Sequence, residues 1–171
     1  WNILISFCGY SSNYMEEYIS QILAAIESFH KRCLGGKAEN LKERLEDLYF
    51  LLPPKIRNQI KFDDDIGIWA ELAANVRHRA AHAGPQDEKD GKANPDASVI
   101  KRYVGTLSIS DRNAIAVSAH LVTYLVLLNE LGVSSEAICN ALNMHPKIST
   151  MVYYCSKVRP LLESIKNLPT S

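Results

Sequence analysis

The sequence predicts an all-α fold, a helical bundle. Apolar residues recur at i, i+3, i+4 and i+7 in several segments, the rhythm of one buried helix face. The breaks between them hold helix punctuation: Gly35-Gly36, Pro53-Pro54, Gly84-Pro85, Gly132 and His145-Pro146. Alternating apolar and polar runs are too weak to build a sheet.

Residues 1–10 are apolar without helical period and read as an extended lead-in, leaving residues 11–171 for the helical domain. A first helix is expected from Ser12 or Asn13, both good N-caps, with Glu16 and Glu17 in the first turn. Its buried stripe is Ile19, Ile22, Leu23, Ile26, Phe29 and Cys33, and Gly35-Gly36 ends it. A second helix spans 40–52 on Leu41, Leu45, Leu48 and Leu52, and Pro53-Pro54 stops it. A short turn or helix follows over 56–60. The next helix covers 64–83, with Ile66, Trp69, Ala73, Val76 and Ala80 on one face. Residues 84–97, rich in Gly, Pro, Asp, Asn and Lys, read as a solvated loop. A helix over 98–104 comes next. A long one capped by Ser108 or Ser110 reaches Leu131, apolar nearly all round and therefore central. Ser134 opens a short helix to Leu142. His145-Pro146 starts the last, which Pro160 is expected to kink or break.

Length and composition suit one globular domain: 171 residues, 47% hydrophobic and 22% charged. No stretch reaches a membrane-spanning length, and no signal peptide precedes Trp1. The chain reads as a cytoplasmic piece of a longer protein whose N-terminal sensor or regulatory domain is missing; a processed or trimmed chain is the alternative. Cys8, Cys33, Cys139 and Cys155 are scattered, with no C-x-x-C pair. Zinc and redox motifs are thus absent, and buried thiols in a reducing cytoplasm are expected. The net charge of zero gives no general attraction for nucleic acid, so such a function needs a local basic cleft. Lys31, Arg32, Lys37, Lys42, Arg44, Lys55, Arg57 and Lys61 lean that way, or form a solvated helical face.

Chemistry concentrates in Arg77-His78-Arg79-Ala80-Ala81-His82. Arg77 and His82 form R-x4-H. The bare pattern is weak: eight arginines, five histidines and three allowed spacings give about 0.7 chance matches in a chain this long. Its place in the last turns of a helix, beside small residues and before Gly84-Pro85, strengthens it. Histidine moves protons near neutral pH. Arginine stays charged and offers forked donors to phosphate oxygens. A helix C-terminus favours imidazolium, which suits His82 to act as an acid. Positions i and i+5 lie about 140° apart on an ideal helix, whereas His78 and His82 share a face. One phosphate held by both Arg77 and His82 therefore needs a distorted last turn or a second protomer. Glu27 is a candidate partner for Arg77, because a buried guanidinium requires a carboxylate; a surface position is its alternative. Tyr103 and His120 read as structural, and His145 as a helix-start residue.

The run Arg77-His78-x-x-x-His82 resembles the motif of HEPN domains, helical bundles marked by arginine, then Asn, Asp or His, then histidine. Three further runs resemble the ApeA-like branch: Gln21 through Glu27-Ser28-Phe29-His30-Lys31-Arg32, Leu41-Lys42-Glu43-Arg44-Leu45-Glu46-Asp47-Leu48, and Val76 through His82-Ala83-Gly84. The likeness covers most of residues 14–131; beyond 132 it is helical character alone. It implies a metal-independent endoribonuclease without cofactor, acting on RNA in phage defence by abortive infection or as a toxin. It also implies a homodimer with two motifs facing one cleft. Arg77 and His82 would be catalytic, His78 and Glu27 supporting, and Arg79, Arg32 and Lys31 further RNA contacts. Many relatives carry Asn where this chain has His78. Others extend the motif to H-x-Y for nucleotide transfer, but position 84 is Gly. Competing with this is a non-catalytic helical module for dimerisation or RNA binding. In that reading Arg77 is only an interhelical ion-pair residue and His82 a helix cap.

Overall fold

The computed structural model describes residues 15–35, 37–82 and 99–168. They are helical, and no strand occurs among them. The elements are α1 (Met15–Phe29), α2 (Leu41–Leu51), α3 (Pro54–Ile60), α4 (Ile66–His82), α5 (Val99–Thr106), α6 (Ile109–Glu130), α7 (Ser135–Met144) and α8 (Pro146–Lys166). A π turn (His30–Leu34) continues α1, and a 3-10 turn (Asp63–Asp65) precedes α4.

Helix α6 is the hub: α1, α2, α4 and α8 all pack on it. Its apolar circumference explains this. Ala114, Ile115, Ala119, Leu121, Val122, Leu125 and Val126 are all buried, on several sides of the helix. Each fully buried large side chain contributes about 1.5–3 kcal/mol before conformational entropy is subtracted. Ser108 caps α6, its Oγ accepting from the Asp111 N–H at 3.1 Å while the Asp111 carboxylate accepts from the Ser108 N–H at 3.2 Å. Gly132, at φ 81°, turns the chain into α7. Helix α4 lies between α1, α2, α5 and α6, which surrounds it on the side that carries Trp69, Ala73 and Val76. Trp69 donates Nε1–H to Ser118 of α6 at 2.9 Å, so the buried indole nitrogen is satisfied.

Two expectations need correcting, the burial of Cys33 and a break at Pro160. Cys33 is exposed, not part of the α1 stripe. Cys33 lies in the π turn, where the constant 100° step that the spacing rule assumes no longer holds. His30 is buried instead, four residues after Ile26. Pro160 lies inside an unbroken α8. Pro160 itself is exposed, on the solvent side of the helix, while Cys155, Val158, Leu162 and Ile165 hold the other face in the core. Pro54 starts a helix as well as ending one, because proline suits the first helical position.

The other boundaries lie close to expectation. Asn40 caps α2 through its side chain, Ser134 caps α7, and Gly35 ends the π turn at φ 60°. His145 precedes α8 as its N-cap residue. Cys139 and Cys155 are buried free thiols. The lead-in, Ser12, Asn13, Cys8, Gly36, Gly84-Pro85 and the loop over 84–97 lie outside the described residues. Among the described residues, no helix is long and apolar enough to cross a membrane.

Candidate functional site

The last turns of α4 divide by helical angle, about 100° per residue. Val76 is buried and Ala80 half-buried, and they mark the core side. His78 is exposed on the opposite side. Arg77 and Arg79 lie on the two flanks, about 200° apart. Between Arg77 and His78 in angle comes Ala81, also exposed. The backbone of His82 closes α4, and its side chain lies outside the described residues. No π or 3-10 turn interrupts α4, so positions 77 and 82 keep the offset of about 140°.

Each flank meets a different neighbour. Arg77 reaches α1, where its Nη2 lies 3.0 Å from Glu27 Oε2. The pair is half-open: the Arg77 side chain is 38% exposed and that of Glu27 30%. Arg79, itself exposed, turns toward α5, and a Cβ added at Gly105 would lie 3.8 Å from its Nη1. Lys31 and Arg32 are exposed in the π turn that follows α1.

Glu27 has a second cation. Its Oε1 lies 2.5 Å from Nη1 of Arg44, a residue of α2 whose side chain is only 9% exposed. Arg44 also donates from Nη2 to the Glu39 carbonyl at 3.0 Å. One turn along both elements, His30 Nε2 and Asp47 Oδ2 are 3.2 Å apart. The structure thus brings Arg77 to Glu27, as the two were expected to pair, and joins Arg44 to them.

The other titratable groups sit apart from this cluster in character. Burial holds His120 low, at about 4, so the ring is neutral across the ordinary pH range. Tyr103 is half-buried against the core. Burial pushes the Cys155 thiol up to about 12, which makes it inert as a nucleophile. Among the described residues, no cluster of His, Cys, Asp and Glu could hold a metal ion.

No family model, curated protein or solved structure matches the chain. The chemistry of the cluster therefore rests on its geometry alone: a fixed, partly exposed guanidinium, an exposed imidazole beside it, and a carboxylate shared by two arginines.

Sequence reasoning missed Arg44 as a member of this cluster. A signal was present. Arg44 interrupts the Leu41, Leu45 and Leu48 stripe of α2, and a charge on a buried face requires a buried partner. His30 carries the same signal, sitting one turn beyond Ile26 on the buried side of α1.

Proposed function

We propose that this chain is a metal-independent endoribonuclease of HEPN type. The ribose 2′-hydroxyl attacks its neighbouring phosphate, His82 moves the protons, and Arg77 holds the phosphate oxygens as charge grows on them. The products are a 2′,3′-cyclic phosphate and a 5′-hydroxyl. His78, exposed between the two, supports the site. Arg79, Arg32 and Lys31 extend the basic surface toward the RNA chain.

The observation that carries this reading is the state of Arg77. Arg77 is tied to Glu27 through Nη2 while its side chain remains 38% exposed, which suits it to be both oriented and reachable by an anion. The uninterrupted α4 adds a second point. Because Arg77 and His82 diverge by about 140°, one phosphate is best served by two copies of α4 meeting across a two-fold axis. The active form in this reading is a homodimer acting in the cytoplasm, in phage defence or a toxin system.

One observation favours the non-catalytic module instead. An arginine whose task is only to join α4 to α1 would also pair with Glu27. Incubation with labelled RNA decides between the two. Under the nuclease reading, wild type yields 2′,3′-cyclic phosphate ends and Arg77→Ala yields none. A wild-type protein that binds RNA without cutting it leaves the module reading in place.

A further inference from the structure

Two arginines meet at one carboxylate. Glu27 receives Arg44 on Oε1 at 2.5 Å and Arg77 on Oε2 at 3.0 Å. The two arginines are not equivalent. Arg44 is nearly closed off, at 9% exposure, and is tied a second time to the Glu39 carbonyl at 3.0 Å. Arg77 is four times as open, at 38%, and pairs with Glu27 through Nη2.

This asymmetry orders the cluster. Arg44 cannot release Glu27 without leaving a buried cation unpaired, so Arg44 sets the carboxylate's orientation. Glu27 then presents its remaining oxygen to Arg77. The charges follow the same order. Two cations face the one Glu27 carboxylate, and the more exposed of them is Arg77. Without Arg44, Glu27 and Arg77 would neutralise each other, and an incoming phosphate would compete with Glu27 for the guanidinium. With Arg44 in place, Glu27 steers Arg77 without cancelling its pull on an anion.

We infer that Arg44 is a positioning residue for the Arg77 site: through Glu27 it orients the Arg77 guanidinium and keeps its charge available to a phosphodiester. Arg44 itself touches no substrate. The catalytic consequence rests on the ribonuclease reading; the positioning of Arg77 does not.

The test uses the whole chain in five forms: wild type, Glu27→Gln, Arg44→Met, Arg44→Lys and the Glu27→Gln/Arg44→Met double variant. Three quantities are measured: kcat and KM on a labelled RNA, the thermal melting curve, and the Nε–Hε resonance of Arg77 by NMR. Arg44→Met should lower kcat/KM by roughly 2- to 160-fold, the span of coupling within one ion-pair network. Arg44→Lys should recover part of that loss, since an ammonium can still face Glu27. Adding Arg44→Met to Glu27→Gln should cost little more than Glu27→Gln alone, because the path to Arg77 is already cut. The Arg77 resonance should move in each Arg44 variant. Additive losses in the double variant, or an unmoved Arg77 resonance, would overturn the inference. If Arg44→Met does not fold, Arg44→Lys takes its place in both comparisons. If wild type cuts no RNA, the nuclease reading falls, and the inference then stands or falls on the Arg77 resonance alone.

Discussion

Replacing Arg77 by alanine should separate activity from stability, and the structure sets the size of both effects. The Glu27–Arg77 pair is partly exposed, so its loss costs no more than about 1 kcal/mol. Glu27 keeps Arg44 as a partner, so no bare carboxylate is left behind. No large cavity opens, because Arg77 is not among the buried core residues. For a domain of this size, about 1 kcal/mol lowers Tm by roughly 2–4 °C. The effect on RNA cleavage should be far larger. Removing a preorganised donor to a developing oxyanion costs about 10²–10³ in rate. The assay pairs a melting curve with cleavage of a labelled RNA at saturating concentration. Cleavage at the wild-type rate by a folded Arg77→Ala protein would refute the site. A Tm drop many times the expected few degrees would refute the claim that Arg77 is peripheral to the core.

Three further outcomes follow from the same structure. Cleavage should persist in excess chelator, because the chemistry uses proton transfer and a fixed cation; activity lost there and restored by magnesium would mean a different mechanism. In a tandem-linked dimer, one protomer carrying Arg77→Ala and His82→Ala should lose far more than half of the activity, whereas two independent sites would retain about half. His120 should make stability depend on pH. The unfolded ring takes up a proton near 6.5 and the folded ring only near 4, so between these values the unfolded state binds more protons. The contribution of His120 to stability is therefore constant above 6.5 and falls as the pH drops toward 4, by up to about 3 kcal/mol at 1.36 kcal/mol per pH unit. Urea titrations at stepped pH read this slope, and His120→Gln should flatten it. An unchanged slope in that variant would assign the pH dependence elsewhere.

Much of the fold was legible because its signals are local. The Leu41, Leu45, Leu48 and Leu52 stripe, the Ser108 cap and the stop at Gly132 each follow from side-chain spacing or backbone freedom within a few residues. The failures came where local signals met tertiary packing. Pro160 carries a strong local instruction to break a helix. It is outweighed because Pro160 lies on the solvent side of the helix while Val158 and Leu162 remain buried. Cys33 was misplaced because a π turn shifts the helical phase, and spacing rules assume a constant one.

The candidate site divides along the same line. Arg77, His78 and His82 stand out in one short run, where a cation beside imidazoles at a helix end carries its own chemical meaning. The pairing of Glu27 with Arg77 could be anticipated, since a guanidinium near a core needs a carboxylate. Which carboxylate it meets, and what else that carboxylate holds, depends on how helices remote in sequence cross. Arg44 reads as one more cation of a basic stretch until α2 packs beside α1 and its guanidinium, shut away from water, takes one oxygen of Glu27. By itself the sequence determined the helices and the core stripes, and it singled out the run proposed to carry the chemistry, because each is specified by neighbours along the chain. Only the tertiary structure decided which arginine is locked and which is left open, because burial of a charge is a property of the packed assembly and not of any segment in it.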